Sequence, residues 1–318
     1  MNVIDRSLRD PQVSRLSERI KTETRELFHA ENYKNFLDTL SRFYSYKPYN
    51  IVLIASQMKD AKCIAHLSDW KKLGRSIKKG EHGIDVVSPV KKNWLDPETK
   101  QLFINEETGK PYQIVDRYKA DTLFDVSQTE GDELPEVVKE SSRSDADLDK
   151  LEEALKETFP ISFFVYDFDT SNKEDKLKHM VQKTVGTILT DYEINRMGTA
   201  DKTVLMQIES VTYAVCKHFG VDTSDMSFDH IDEWSEGKSF SEMSDGIRHM
   251  QYMSEHIIKN LEEYKIIHEQ PDKDKILEFK AERAYEMQEI EKRNERSRYE
   301  QLGECPYPVP AYDEEIDW

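Results

Sequence analysis

Apolar residues recur at helical spacing from residue 12 to 45. Leu16, Ile20, Leu27, Phe28, Phe36, Leu37, Leu40 and Phe43 predict a helix with a break near Asn32. Tyr46–Asn50 reads as a turn, because Pro48 restricts the residue before it. The apolar run Ile51–Met58 then predicts a second helix, with Asn50 as its N-cap. Lys71–Gly83 carries the glycines and lysines of a loop. Ile84–Val90 predicts a strand ended by Pro89, Asn93–Pro111 a hairpin-like insertion, and Tyr112–Val115 and Ala120–Val126 two further strands. Asp132–Asp149 is polar and acidic and reads as a linker.

Beyond it the period changes. Asp147–Phe159, Lys176–Leu189, Thr203–Phe219 and Ser239–Lys265 predict helices, and Ile161–Phe168 a strand. Lys273–Leu302 is a charged helix with a sparse apolar stripe. The tail from Cys305 to Pro310 favours polyproline II and ends in the acidic stretch Asp313–Trp318. The expected class is α+β: a mixed helix and antiparallel-sheet domain over 1–135, a linker over 136–149, a mainly helical domain over 150–268, a charged helix over 269–303 and a Pro-rich acidic tail over 304–318.

Composition adds three exclusions. No apolar run approaches 20 residues, which excludes a membrane helix. No apolar segment follows a basic start, which argues against a secretory signal. Three distant cysteines, Cys63, Cys216 and Cys305, fit neither a disulfide scaffold nor a cysteine zinc site and point to a reducing cytoplasm. Charge changes the picture more. The net charge of -18 argues against nucleic acid, yet residues 1–92 hold 18 Lys+Arg against 11 Asp+Glu, a net of +7, and the remainder holds 27 against 52, a net of -25.

The basic part centres on Trp70–Gly83. Lys71, Lys72, Arg75, Lys78 and Lys79 are candidates for phosphate contacts, and Tyr44, Tyr46, Tyr49 and Trp70 for stacking on unpaired bases. A positive groove beside aromatic faces is how single-stranded nucleic acid is bound. A solvated lysine loop over core aromatics has the same composition, and a buried tryptophan at position 70 looks identical in sequence.

The ordered set Tyr33–Leu40, Phe43–Tyr46 with Asn50, Leu53–Gln57, Ala61, Trp70, Gly74-Arg75, Lys78–Ile84 and Phe124–Gly131 is similar to the N-terminal domain of ArdC-like antirestriction and LtrC-like conjugation proteins. The resemblance covers about Leu16 to Pro135 and implies binding of single-stranded DNA through the lysine loop and the aromatics. Phe124–Gly131 itself reads as core and turn, with no chemistry assigned.

Residues 150–265 resemble the zincin-like metallopeptidase domain of LtrC-like proteins, through Ile208–Gly220, Val221–Phe228, Ile231–Trp234 and the helix Phe240–Glu263. A zincin needs two histidines four apart on one helix face, with a glutamate beside the first as general base. No H-E-x-x-H occurs in the chain. In register with the family, Gln182 and Gly186 stand at the histidine positions and Lys183 at the glutamate; Glu209 matches the family's third ligand but has lost both partners. His249 and His256 lie seven apart on one helix, about 10 Å along its axis, too far for one zinc. The expectation is a degenerate peptidase without metal, cofactor or catalysis.

Together these readings predict a non-catalytic single-stranded DNA-binding accessory protein of a mobile element, protecting DNA or countering host defence. One alternative is an inhibitor that binds a host defence nuclease by its acidic surface. A second is a metallopeptidase with an atypical site. The tail Asp313–Trp318 resembles the acidic tips by which bacterial single-stranded DNA-binding proteins dock other proteins.

Overall fold

The computed structural model describes residues 7–95, 99–104, 109–134, 145–159, 172–197 and 202–269. Contacts divide the chain into two units, Met1–Leu261 with Asp317–Trp318 and Glu262–Ile316, and the elements below belong to the first, apart from the end of the last helix.

Helix α1, Pro11–Leu27, opens where Asp10 accepts a hydrogen bond from the Gln12 N–H at 2.9 Å and Pro11 takes the first turn, which needs no amide donor. Its buried stripe is Val13, Leu16, Ile20 and Leu27. The chain breaks at Phe28–His29, earlier than Asn32, and α2 runs Ala30–Arg42. Helix α3, Pro48–Gln57, starts at the proline itself, with Lys47 as N-cap. Asn50 is therefore not the cap. It lies buried inside the helix, where its amide donates to Val87 C=O and accepts from Val87 N–H, both at 2.9 Å, and so pins α3 to the sheet.

The sheet has the order β1–β4–β3, all antiparallel, with β1 Ile64–Ala65, β3 Ile84–Asn93 and β4 Gln113–Asp125. A separate ribbon pairs β2, Arg75–Ile77, with β5, Thr129–Gly131. The region read as one loop, Lys71–Gly83, thus begins inside the end of helix α4, Leu67–Lys72, and holds strand β2. Strand β3 does not stop at Pro89. It passes through it to Asn93, because β3 is the sheet edge and a proline there removes no ladder hydrogen bond. The two short strands expected at 112–126 are one continuous β4, whose register against β3 shifts between Val90 and Lys91, where Asp116 is the extra residue on β4. Phe43, Ile54, Ala61, Ile64, Ile84, Val86 and Leu123 close the core between helices and sheet.

The described part of the second half is helical: α5 Asp145–Thr158, α6 Lys173–Met197, α7 Lys202–His218, α8 Ile231–Ser235 and α9 Phe240–Glu269. Helix α7 is buried along most of its length and packs on α2, α6 and α8. The two halves share this core. Tyr33 of α2 is fully buried, with its hydroxyl 2.7 Å from Ser210 Oγ and near the sulfurs of Met206 and Met250. Tyr213 of α7 donates to Asp38 of α2 at 2.8 Å. Burial pushes the Tyr33 phenol far above its ordinary pKa, with Glu209 adding to the rise. The strand expected at Ile161–Phe168, most of the linker, the helix at Lys273–Leu302 and the tail Asp313–Trp318 lie outside the described residues.

Candidate nucleic-acid interface

The lysine turn is mounted on the segment after β4. Asp125 is buried, and its carboxylate accepts from the N–H groups of Lys62 at 2.7 Å, Cys63 at 2.9 Å and Ser127 at 2.9 Å. The Ser127 bond caps the 3-10 turn Val126–Gln128. Gln128 completes that cap by accepting from Asp125 N–H, and its amide donates to His82 C=O at 2.7 Å and to Glu81 at 3.0 Å. Lys78 N–H donates to Gln128 C=O at 2.9 Å. The turn from Lys78 to His82 is therefore held at both ends by one glutamine. Sequence reasoning assigned Phe124–Gly131 no chemistry; in the structure the segment supports the lysine turn.

Gly74 and Gly131 allow the ribbon beside it to close. Both have positive φ, and a Cβ on Gly131 would stand 2.4 Å from Gly74 C=O.

The nine candidate contacts separate on this frame. Lys71, Lys72, Lys78 and Lys79 are exposed. Lys72 pairs with Asp69 at 2.7 Å, and Lys78 Nζ donates to Ser127 C=O at 2.7 Å. Lys71 and Lys79 have no carboxylate partner among the described residues. Arg75 does not belong with them. Its guanidinium donates to Thr129 Oγ1 at 2.8 Å, Thr129 C=O at 3.1 Å and Asp132 C=O, so its fork is spent on tying β2 to β5.

Trp70 is 1% exposed and donates from Nε1 to Phe124 C=O at 2.8 Å; it is a core residue with no face for a base. Tyr46 is half-buried, edge-on to Phe43, and burial raises its phenol pKa. Tyr44 and Tyr49 are half-buried, Tyr44 edge-on to His218 at 5.1 Å. A cleft of about 310 Å³ between α1, α2 and α3 includes Glu23, Glu26, Asn32, Gln57 and Lys59 in its lining, an acid-rimmed surface ill-matched to phosphate.

The degenerate peptidase positions lie on α6 and α7. Gln182 is exposed, Lys183 half-buried, and Gly186 faces α7, where an added Cβ would meet only Ile208 Cδ1, at 3.8 Å. Glu209 Oε2 lies 3.0 Å from His230 Nε2, off the line of a hydrogen bond but close enough for a charge pair once the imidazole is protonated. Sequence spacing gave no sign of this partner, since the two residues are 21 positions apart. An amide, an ammonium and a hydrogen atom do not supply a zinc donor set. No three acidic, histidine or cysteine side chains gather into a metal-holding group among the described residues. These residues do not fit a zincin zinc.

Gly186 has one measurable consequence. Glycine inside a helix costs about 0.5–1 kcal/mol relative to alanine, and the extra methyl has room. Gly186→Ala is expected to stabilise the protein by roughly that amount, read as a higher urea midpoint with an unchanged slope.

Cys63 and Cys216 are free thiols, and burial pushes Cys216 up to about 12, which keeps it unreactive. No helix among the described residues is long and apolar enough to cross a membrane.

Comparison with known proteins bears on the first half most directly. Residues 11–124 match the family model described as the N-terminal domain of anti-restriction factor ArdC. The uncharacterized protein pXO2-81 of Bacillus anthracis is 26% identical over 69% of this chain, and the match spans 47% of that longer protein. Two crystal structures of the antirestriction protein ArdC from plasmid R388 are similar. The metal-free one has a TM-score of 0.42 at 17% identity, covering 69% of this chain and 86% of the other. The Mn(II)-bound one has a TM-score of 0.40 at 15% identity, covering 68% and 85%. Residues 11–124 are thus similar to the N-terminal domain of anti-restriction factor ArdC.

Proposed function

We propose that this protein is a non-catalytic single-stranded DNA-binding accessory factor of a mobile element, acting against host restriction. The observation that carries the reading is the lysine turn. Lys71, Lys72, Lys78 and Lys79 are exposed on a rigid mount inside a domain of the ArdC type. Exposed cations fixed on a surface bind a phosphate backbone through counterion release; Lys71 and Lys79 have no carboxylate partner among the described residues, whereas Lys72 pairs with Asp69. The non-catalytic part of the proposal is supported by the residues at 182, 183 and 186, which offer neither zinc ligands nor a general base.

The turn is tested by titrating single-stranded and duplex oligonucleotides across a salt series, using wild type and a Lys71→Ala/Lys79→Ala variant. Each single-strand phosphate contact contributes about 0.7 to the slope of log K against log salt. The double variant is expected to lose roughly 1.4 from that slope if both lysines contact phosphate. Absence of single-strand binding, or an unchanged slope, sinks the proposal. Stoichiometric zinc in purified protein, together with peptidase activity abolished by a chelator, would overturn its non-catalytic part.

A further inference from the structure

The lysine turn carries donors of a second kind. Residues 78–81 form a β-turn closed by a hydrogen bond from Glu81 N–H to Lys78 C=O at 3.3 Å. Gly80, its third residue, has φ +89°, and Lys79, its second, keeps a negative φ. That pattern is a type II turn, which requires glycine at the third position. The N–H groups of the two central residues lie outside the turn's own hydrogen bond. Those of Lys79 and Gly80 meet no acceptor among the described residues, while the N–H groups on either side, of Lys78 and Glu81, are both taken.

The two open donors are held still. Gln128 C=O accepts from Lys78 N–H at 2.9 Å, Lys78 Nζ donates to Ser127 C=O at 2.7 Å, and the Gln128 amide donates to His82 C=O at 2.7 Å. They are also accessible. A Cβ on Gly80 would meet nothing within 4 Å, and Lys78, Lys79, Gly80 and Glu81 are all exposed.

Charge and donor chemistry select what meets them. From Lys71 to His82 the chain holds five cations, Lys71, Lys72, Arg75, Lys78 and Lys79, against one carboxylate. That carboxylate, Glu81, accepts from the Gln128 amide at 3.0 Å. Asp69 pairs with Lys72, and the acids of the facing strand, Glu130 and Asp132, lie opposite Ser76 and against Gly74, further along the ribbon from the turn. Amide N–H and ammonium groups only donate, so the tip suits a ligand rich in acceptors and negative charge. Consecutive free N–H groups in a turn make an anion site, and backbone N–H groups are regular contacts to phosphate oxygens.

We propose that the tip of the Lys78–Glu81 turn grips a backbone phosphate of the single strand through the N–H groups of Lys79 and Gly80, with the lysine side chains adding charge around it. This inference rests on the single-strand reading above.

Position 79 separates the two kinds of donor. A neutral N–H adds affinity without adding to the salt slope, whereas an ammonium adds to both. Lys79→Ala removes the ammonium and keeps the N–H. Lys79→Pro removes both, and proline is favoured at the second position of a type II turn, so the turn is kept. Lys78 directly follows strand β2, in keeping with the extended backbone that a proline requires before it.

The test titrates full-length wild type, Lys79→Ala and Lys79→Pro with an oligothymidylate across a salt series. Both variants are expected to lose about 0.7 from the slope of log K against log salt. Lys79→Pro should bind roughly tenfold more weakly than Lys79→Ala at every salt concentration, the effect of one hydrogen bond to a charged group. Its urea midpoint should equal or exceed that of Lys79→Ala. Equal affinity of the two variants overturns the amide contact while the phosphate reading stands. No binding by wild type overturns both. A strand bound only when it carries a terminal phosphate overturns the assignment to a backbone phosphate. Should Lys79→Pro lose stability instead, amide NMR of wild type carrying isotope-labelled glycine and lysine decides. Downfield displacement of the Gly80 or Lys79 N–H signal on adding the strand supports the contact, and signals that stay in place overturn it.

Discussion

Trp70→Ala is expected to lower folding stability by about 3–5 kcal/mol, the range for truncating a buried aromatic residue. The indole is among the largest fully buried side chains of the chain. Its removal leaves a cavity that the surrounding elements refill only in part. It also deprives Phe124 C=O of its donor at 2.8 Å. Trp70→Phe separates the two effects. Most of the apolar volume is kept and the hydrogen bond is lost, so about 1–2 kcal/mol of destabilisation is expected. Urea denaturation followed by circular dichroism measures both. Single-strand affinity, corrected to the folded fraction, should be unchanged in Trp70→Phe. A selective loss of affinity in a fully folded Trp70→Phe protein would return this residue to the binding surface.

Asp125→Ala should be equally damaging, by about 3–5 kcal/mol, for a different reason. One carboxylate satisfies three backbone N–H groups, those of Lys62, Cys63 and Ser127. Hydrogen bonds to a charged group are each worth about 1.5–3 kcal/mol, and donors left without a partner carry their desolvation cost. The same bonds join the chain entering β1 to the end of β4 and shape the turn that presents Gln128 to the lysines. Asp125→Ala is therefore expected to weaken single-strand binding as well as stability. Asp125→Asn should retain part of the stability, because one oxygen still accepts while the new amide faces donors. Denaturation midpoints and the salt-series titration read the two effects on the same samples. Destabilisation by Asp125→Ala below about 1 kcal/mol would contradict the geometry.

The contrast between these two residues and their neighbours says how far local patterning reaches. The apolar stripe of α1, the burial of α7 and the long last helix follow from 3.6-residue periodicity, a property of nearby residues. The hairpin-like character of 93–111 was legible in its proline, threonine, asparagine and glycine. Asn50 was misread because position after a turn fits an N-cap, whereas its partner, Val87, lies 37 residues away. Arg75 was counted with the lysines because composition does not distinguish a guanidinium facing solvent from one gripping Thr129 across a ribbon. Pro89 was taken as a strand end because only sheet order reveals that β3 is an edge.

The charge division, the absence of zinc-binding residue types at 182, 183 and 186, and the helical periods were determined by the sequence alone, since each depends on which residues are present or on spacing within one element. Which aromatics are buried, which cations are already engaged, and which backbone donors of the lysine turn stay open were decided only by tertiary structure. The physical reason is that burial and hydrogen-bond partnership belong to pairs of residues far apart in the chain, and no local pattern records them.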